Sequence, residues 1–148
     1  MKVYIGSDHA GFDMKQWLKK ALVKEGYGVV DCGAKTKKPK DDYPDYAFKV
    51  GEKIARYPGY GLLVCGSAQG VCIAANKVSG VRAIVSANQR DAKLAREHND
   101  ANVLCLSGWT LAKKKALGIT LKFLKSDFSG DLRHARRIAK ISKYEGSN

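Results

Sequence analysis

Gly61-Leu62-Leu63-Val64-Cys65-Gly66-Ser67-Ala68-Gln69-Gly70-Val71-Cys72-Ile73-Ala74-Ala75-Asn76-Lys77 is the stretch whose reading decides the fold. Gly61 to Val64 is a short apolar run of strand length, Gly66 to Gly70 is a turn of small residues, and Val71 to Asn76 resumes as a helix. A buried strand that turns straight into a helix gathers the backbone N–H groups of Gly66 to Gly70 at the helix N-terminus, where negative charge is favoured. Cys65 closes the strand and is a candidate base or nucleophile, because a helix dipole at that point favours its thiolate. The competing reading is packing, since a free cysteine ending an apolar strand commonly serves as a small hydrophobe. Gly66 and Gly70 are not followed by Gly-Lys-Ser/Thr, so this is not a loop for nucleoside triphosphates.

The same order of strand, loop and helix repeats on both sides. Upstream, Val3 to Ser7 reads as a strand, with Phe12, Trp17, Leu18, Ala21 and Leu22 at helical spacing until Gly26. Val29 to Cys32 is a second strand; after the basic loop Lys35 to Lys40, Pro44 opens a helix carrying Tyr46, Ala47, Val50 and Ile54. Downstream, Ala83 to Ser86 precedes a helix around Asp91 to Glu97, and Val103 to Leu106 precedes one from Leu111 to Leu124. Strand–helix alternation of this kind predicts an α/β, Rossmann-like three-layer fold with a five-stranded parallel sheet buried between helices. An extra C-terminal helix, from about Asp131 to Tyr144, has no strand after it and is expected to dock on the sheet, on another subunit, or on both. The 148 residues contain no linker or repeat and predict one domain spanning 1–148. In such sheets ligands bind beyond the carboxyl ends of the strands, which here carry Asp8-His9, Cys65 to Gly70 and Ser107-Gly108-Trp109.

A net charge of +13 raises the question of a nucleic-acid partner. Residues 111–148 supply ten Lys/Arg against three Asp/Glu, yet no aromatic-interleaved RNA motif, helix-turn-helix or basic arm accompanies them. A solvated basic face is the better reading, and no nucleic acid is expected as partner. The four cysteines show no CxxC pairing or zinc-like cluster with histidines, so no structural zinc is expected, and no cofactor is expected either. No apolar run has membrane-spanning length and no signal-peptide core opens the chain, which predicts a cytoplasmic protein with reduced thiols.

Three further groups carry chemistry. Asp8 and His9 follow the first strand, either as turn and cap formers or as functional side chains. His98, in Arg96-Glu97-His98-Asn99-Asp100-Ala101-Asn102, is either a general acid–base or a cation at a helix C-terminus. Arg133 and Arg137 lie one helical turn apart and face the same way, a spacing at which two guanidinium groups grip one phosphate.

Taken in order, Gly6-Ser7-Asp8-His9-Ala10-Gly11-Phe12, Asp42-Tyr43-Pro44-Asp45-Tyr46-Ala47, Cys65-Gly66-Ser67 with Gly70 and Ile73-Ala74-Ala75-Asn76-Lys77, Glu97-His98-Asn99-Asp100-Ala101-Asn102-Val103-Leu104, and Arg133-His134 with Arg137 resemble the type B ribose-5-phosphate isomerase family. That family includes the subunits of bacterial galactose-6-phosphate isomerase. The resemblance covers nearly the whole chain. It implies metal-free aldose–ketose isomerisation of a phosphorylated sugar through a cis-enediol, in a homodimer or dimer of dimers whose active sites lie at the interface. Family members place the base either as a cysteine ending the third strand or as a glutamate in the next helix. Cys65 and Val71 occupy those positions, so the chain resembles the cysteine type.

Carried onto this sequence, the resemblance gives Cys65 the proton transfer between C1 and C2, with Ser67 orienting it or a sugar oxygen. The N–H groups of Gly66, Ser67, Ala68, Gln69 and Gly70 stabilise the enediolate. His98 opens the furanose ring, Asp8 assists near the ring oxygens, Asn99 lies near the enediolate, and Tyr43 lines the sugar pocket. His9, Arg133 and Arg137 hold the phosphate. One position departs: Trp109 stands where ribose-type members commonly carry a phosphate-binding arginine. Interconversion of ribose 5-phosphate and ribulose 5-phosphate is the leading expectation, with a six-carbon substrate such as allose or galactose 6-phosphate as the alternative. A non-catalytic binding module is disfavoured, because base, ring-opening acid and phosphate grip occur together.

Overall fold

The computed structural model describes residues 1–146. Its elements run β1 (Lys2–Ser7), α1 (Phe12–Lys24), β2 (Gly28–Asp31), α2 (Tyr43–Arg56), β3 (Tyr60–Cys65), α3 (Gln69–Ala75), β4 (Ala83–Val85), α4 (Gln89–Asn99), β5 (Val103–Ser107), α5 (Lys113–Leu124) and α6 (Leu132–Glu145). The strands join in the order β2-β1-β3-β5-β4, all parallel. The expected α/β architecture is therefore the one observed.

Alternation along the strands divides the interior into two layers. Val3, Ile5, Leu62, Val64, Leu104 and Leu106 point to one face, where Met14, Leu18 and Leu22 of α1, Ala92 of α4, and Ile119 and Phe123 of α5 cover them. Tyr4, Leu63, Cys65, Val103 and Cys105 point to the other, under Ala47 and Val50 of α2 and Val71, Ala74 and Ala75 of α3. Both faces of the central strands are apolar, so the sheet needs helices on each side.

Helix ends follow local chemistry. Asn88 caps α4 by accepting the Asp91 N–H at 2.9 Å, which starts that helix at Gln89, ahead of the expected Asp91. Asp131 accepts the Arg133 N–H at the start of α6. The last helix reaches the turn ahead of β4, where the Glu145 carboxylate accepts the Gly80 N–H at 2.9 Å. It rests on α4 and buries His134, leaving Leu132, Ile141 and Tyr144 exposed.

Lys15 is the largest fully buried side chain, and its ammonium reaches both carboxylate oxygens of Asp31 and the carbonyl of Ala34. Burial raises the Asp31 pKa, but Lys19, Lys15 and the Gly33 N–H outweigh it and hold the carboxyl below its ordinary value. Removing one member of a buried pair costs about 3 kcal/mol at the lower end of the usual range. Lys15→Met is expected to lose about that much in urea unfolding at neutral pH, since Lys19 still partners Asp31. A carboxyl with a depressed folded pKa stabilises above its unfolded value and ceases to as pH falls through the folded one, so the deficit should shrink in acid.

Candidate active site

Chain order reverses beside β1: β2 pairs on one side of it and β3 on the other. The loops leaving the carboxyl ends of β1 and β3 diverge there and leave a cleft of about 250 Å3. Asp8, His9, Ala10, Tyr43, Cys65, Gly66, Ser67, Gly70 and Trp109 line it. A larger recess, about 560 Å3, opens at the opposite edge of the sheet beside Tyr57, Tyr60, Arg82 and Arg96. Both of its arginines are committed to the Asp100 carboxylate, and it holds no cysteine or histidine, so the chemistry belongs to the smaller cleft.

The loop after β3 is built for close approach. A Cβ on Gly66 would lie 2.5 Å from the Trp109 indole, and one on Gly70 would lie 2.6 Å from the Tyr43 ring. Two aromatic walls thus bracket the loop, and Trp109 keeps 73% of its surface exposed toward the opening. The left-handed backbone position is Ala68, at φ 70°, and neither flanking glycine adopts it. That conformation turns the Ala68 N–H back to donate to Cys65 Sγ at 3.2 Å and begins α3 at Gln69, two residues before the expected Val71.

This geometry corrects two sequence expectations. Burial pushes the Cys65 thiol above its ordinary pKa; the Val71 and Ala68 N–H groups pull it down, Asp8 pushes it up, and the net shift is upward. The dipole of the seven-residue α3 does not offset desolvation. In addition, the Ala68 N–H serves the Cys65 sulfur and the Gln69 N–H donates to Ser67 Oγ at 3.4 Å, and neither residue lines the cleft. Asp8 is buried and accepts the Gly11 N–H at 3.0 Å. Its carboxyl is raised by burial, against the Gly11 N–H and the nearby His9.

His98, Asn99, Arg133 and Arg137 are absent from this cleft. His98 and Asn99 end α4, and the chain enters β5 at Val103, whose partner is Gly61 at the start of β3. Cys65 pairs with Ser107 at the far end of the same two strands. Four strand steps of about 3.3 Å, roughly 13 Å, separate the two edges within one chain. Arg133 and Arg137 keep company with His98: the His134 ring between them in sequence lies against His98, tilted by 37° with centroids 4.4 Å apart, and the Ser129 N–H donates to the Glu97 carbonyl. His98, Asn99, Arg133 and Arg137 are exposed. The α4 terminus itself is rigidly held, because Arg96 and Arg82 both grip Asp100, a residue with φ 45°.

The sequence motifs did not single out Asp41. Its carboxylate accepts the His9 N–H at 2.8 Å, contacts His9 Nδ1 at 2.7 Å and accepts the Tyr46 hydroxyl at 2.9 Å. Asp41 adjoins the quoted Asp42-Tyr43-Pro44 motif, but its partner is 32 positions away, beyond any local spacing signal. Among the described residues, no three His, Cys, Asp or Glu side chains gather to hold a metal ion, and no helix is long and apolar enough to cross a membrane.

Comparison with known proteins follows the same lines. The Ribose/Galactose Isomerase family profile matches residues 3–141. A probable ribose-5-phosphate isomerase B of Mycoplasma pneumoniae is 42% identical over 97% of this chain and 94% of its own. The crystal structure of ribose-5-phosphate isomerase B from Mycoplasma genitalium with bound ribulose-5-phosphate superposes with TM-score 0.94 at 42% identity, covering 99% of this chain and 97% of that one. The Clostridium thermocellum ribose-5-phosphate isomerase B also gives TM-score 0.94 at 42% identity, over 99% of each chain. Fold and site define an aldose–ketose isomerase of sugar phosphates. The chain belongs to the ribose/galactose isomerase family.

Proposed function

We propose that the enzyme interconverts ribose 5-phosphate and ribulose 5-phosphate through a cis-enediol, in active sites each assembled from two copies of the chain. The observation that carries the two-copy arrangement is the division of the site residues between opposite edges of one rigid sheet. A chain that holds its base at one edge and its ring-opening acid at the other needs a second copy to bring them together. The exposed apolar residues Leu132, Ile141 and Tyr144 of α6 support such pairing. The relatives named above, one of them holding ribulose 5-phosphate, favour the pentose substrate. Four unpaired cysteines support a cytoplasmic place of action.

In this reading His9 from one copy and Arg133 and Arg137 from the other hold the phosphate. His98 protonates the ring oxygen to open the furanose, with Asp8 assisting at the neighbouring oxygens. The Cys65 thiolate then takes the proton from C2 of the open aldose, electrons move into the C1–C2 bond, and the carbonyl oxygen becomes the enediolate. The O2 hydroxyl proton passes to O1, the C1–C2 double bond takes the proton back from Cys65 at C1, and O2 is left as the ketose carbonyl. Tyr43 and Trp109 wall the sugar chain, Ser67 orients a sugar oxygen, and the Gly66 and Gly70 amides with Asn99 supply donors where charge develops.

Initial rates on ribose 5-phosphate beside a panel of hexose 6-phosphates test the proposal, with the highest kcat/KM expected for the pentose. A larger value for a hexose phosphate overturns it. Trp109 adds a directional check. Trp109→Arg is expected to lower KM for ribose 5-phosphate, because a well-placed charged hydrogen bond contributes about 1.5 to 3 kcal/mol. Trp109→Phe keeps most of the apolar wall and should stay near the parent. A change in the pentose-to-hexose ratio of kcat/KM would instead make the indole a selector of sugar length.

A further inference from the structure

We propose that Asp41 is a positioning residue for substrate phosphate, acting by fixing the His9 imidazole with Nδ1–H on its carboxylate and Nε2 free for the cleft. The phosphate part rests on the function proposed above; the orientation of the ring rests on geometry alone.

Asp41 sits between the basic loop that follows β2 and the first turn of α2, and its side chain is 9% exposed. Oδ1 accepts the His9 backbone N–H at 2.8 Å and faces His9 Nδ1 at 2.7 Å, while Oδ2 accepts the Tyr46 hydroxyl at 2.9 Å. Burial raises the Asp41 pKa, but the two His9 contacts and Tyr46 outweigh it and hold the carboxyl below its ordinary value. The Tyr46 hydroxyl is pushed up to about 12 by burial and by Asp41, so it stays a donor throughout the neutral range. An ionised carboxylate offers no hydrogen, and Nδ1 must therefore carry one.

Backbone and ring of His9 are thus tied to a single oxygen, which sets both where the loop after β1 sits and how the imidazole is rotated. Among the described residues Nε2 has no partner, on a side chain that remains 39% exposed and lines the cleft. Asp8, also at the cleft, is the other charged group facing His9. An imidazolium held in this way donates from both nitrogens at once, Nδ1–H to Asp41 and Nε2–H to a phosphate oxygen. Without Asp41 the ring is free to rotate or to exchange tautomers, and Nε2 no longer keeps its direction into the cleft. Outer partners of a ligand histidine commonly act through orientation in this manner.

Nitrogen NMR of protein labelled in histidine, with His9 assigned by its loss in His9→Asn, reads the ring directly. The parent should show Nδ1 protonated at neutral pH, and Asp41→Ala should show mixed tautomers. The same variant should raise KM for ribose 5-phosphate and Ki for inorganic phosphate together, by about tenfold, with kcat changed far less. Asp41→Asn retains an acceptor oxygen for His9 and should restore the Nδ1–H form and most of the affinity, which separates positioning from damage to the loop. Unchanged tautomer and unchanged Ki in Asp41→Ala overturn the proposal. A tautomer that shifts while Ki for phosphate stays constant overturns the phosphate role of His9, and with it that part of the proposed function. Loss of affinity that Asp41→Asn fails to restore also overturns the positioning role.

Discussion

Replacing Cys65 by alanine is expected to lower kcat by about 10²- to 10⁴-fold, the contribution of a positioned general base, while inorganic phosphate binds the variant as it binds the parent. In the proposed mechanism the thiolate acts on the transition state, whereas His9, Arg133 and Arg137 hold the phosphate before and during reaction. The sulfur sits at the end of β3 on the α3 side of the sheet, with the Ala68 N–H directed at it. Burial and Asp8 raise its pKa above the ordinary 9.0 despite the Val71 and Ala68 amides. A base works only after losing its proton, so kcat/KM of the parent should climb with pH through the neutral range and into the alkaline one. Full activity in Cys65→Ala, with phosphate affinity retained, would return Cys65 to a packing role.

Mixing two inactive variants should regenerate activity. In the proposed mechanism Cys65→Ala lacks the base but keeps the α4 terminus, and His98→Asn lacks the ring-opening acid but keeps the cleft. Each alone is expected to be close to inert on ribose 5-phosphate. After co-refolding in equal amounts, half of the dimers pair unlike chains, and each such dimer has one of its two sites intact. About a quarter of parental activity is then expected. The result follows from the roughly 13 Å of strand that separates Cys65 from the edge carrying His98. Absence of recovery, with mixed dimers demonstrated, would mean that base and acid come from the same chain. His98→Asn alone carries a second signature: a substrate already linear has no ring to open, so the ketose-to-aldose direction should suffer less.

Much of the molecule was legible in its sequence because the information is local. Apolar runs such as Leu62 to Cys65 and Val103 to Leu106 announce buried parallel strands, and helical spacing of Leu18 and Leu22 announces α1. Position relative to a strand end was equally readable for Asp8, His9 and Cys65, which the fold brings to one cleft. What escaped is non-local or conformational. The turn at Ala68 uses a left-handed residue that composition gives no reason to expect, since glycines stand on either side of it. Helix-dipole reasoning favoured the Cys65 thiolate, and burial behind α3 reverses that preference in the free chain. Asp41 and His9 meet across 32 positions. The division of the motifs between two edges of the sheet depends on the direction of α4 relative to β5, which motif order does not encode.

The placement of Trp109 makes the protein its own spectroscopic probe. The chain has two tryptophans; Trp17 is partly buried against the α1 side of the core, while Trp109 projects 73% of its surface beside Gly66 at the mouth of the cleft. Indole emission depends on local solvent, so a ligand that enters the cleft displaces water from one emitter and leaves the other undisturbed. A Trp17→Phe background would isolate that signal, and occupancy of the cleft would become a fluorescence titration requiring no turnover, no attached dye and no coupled assay.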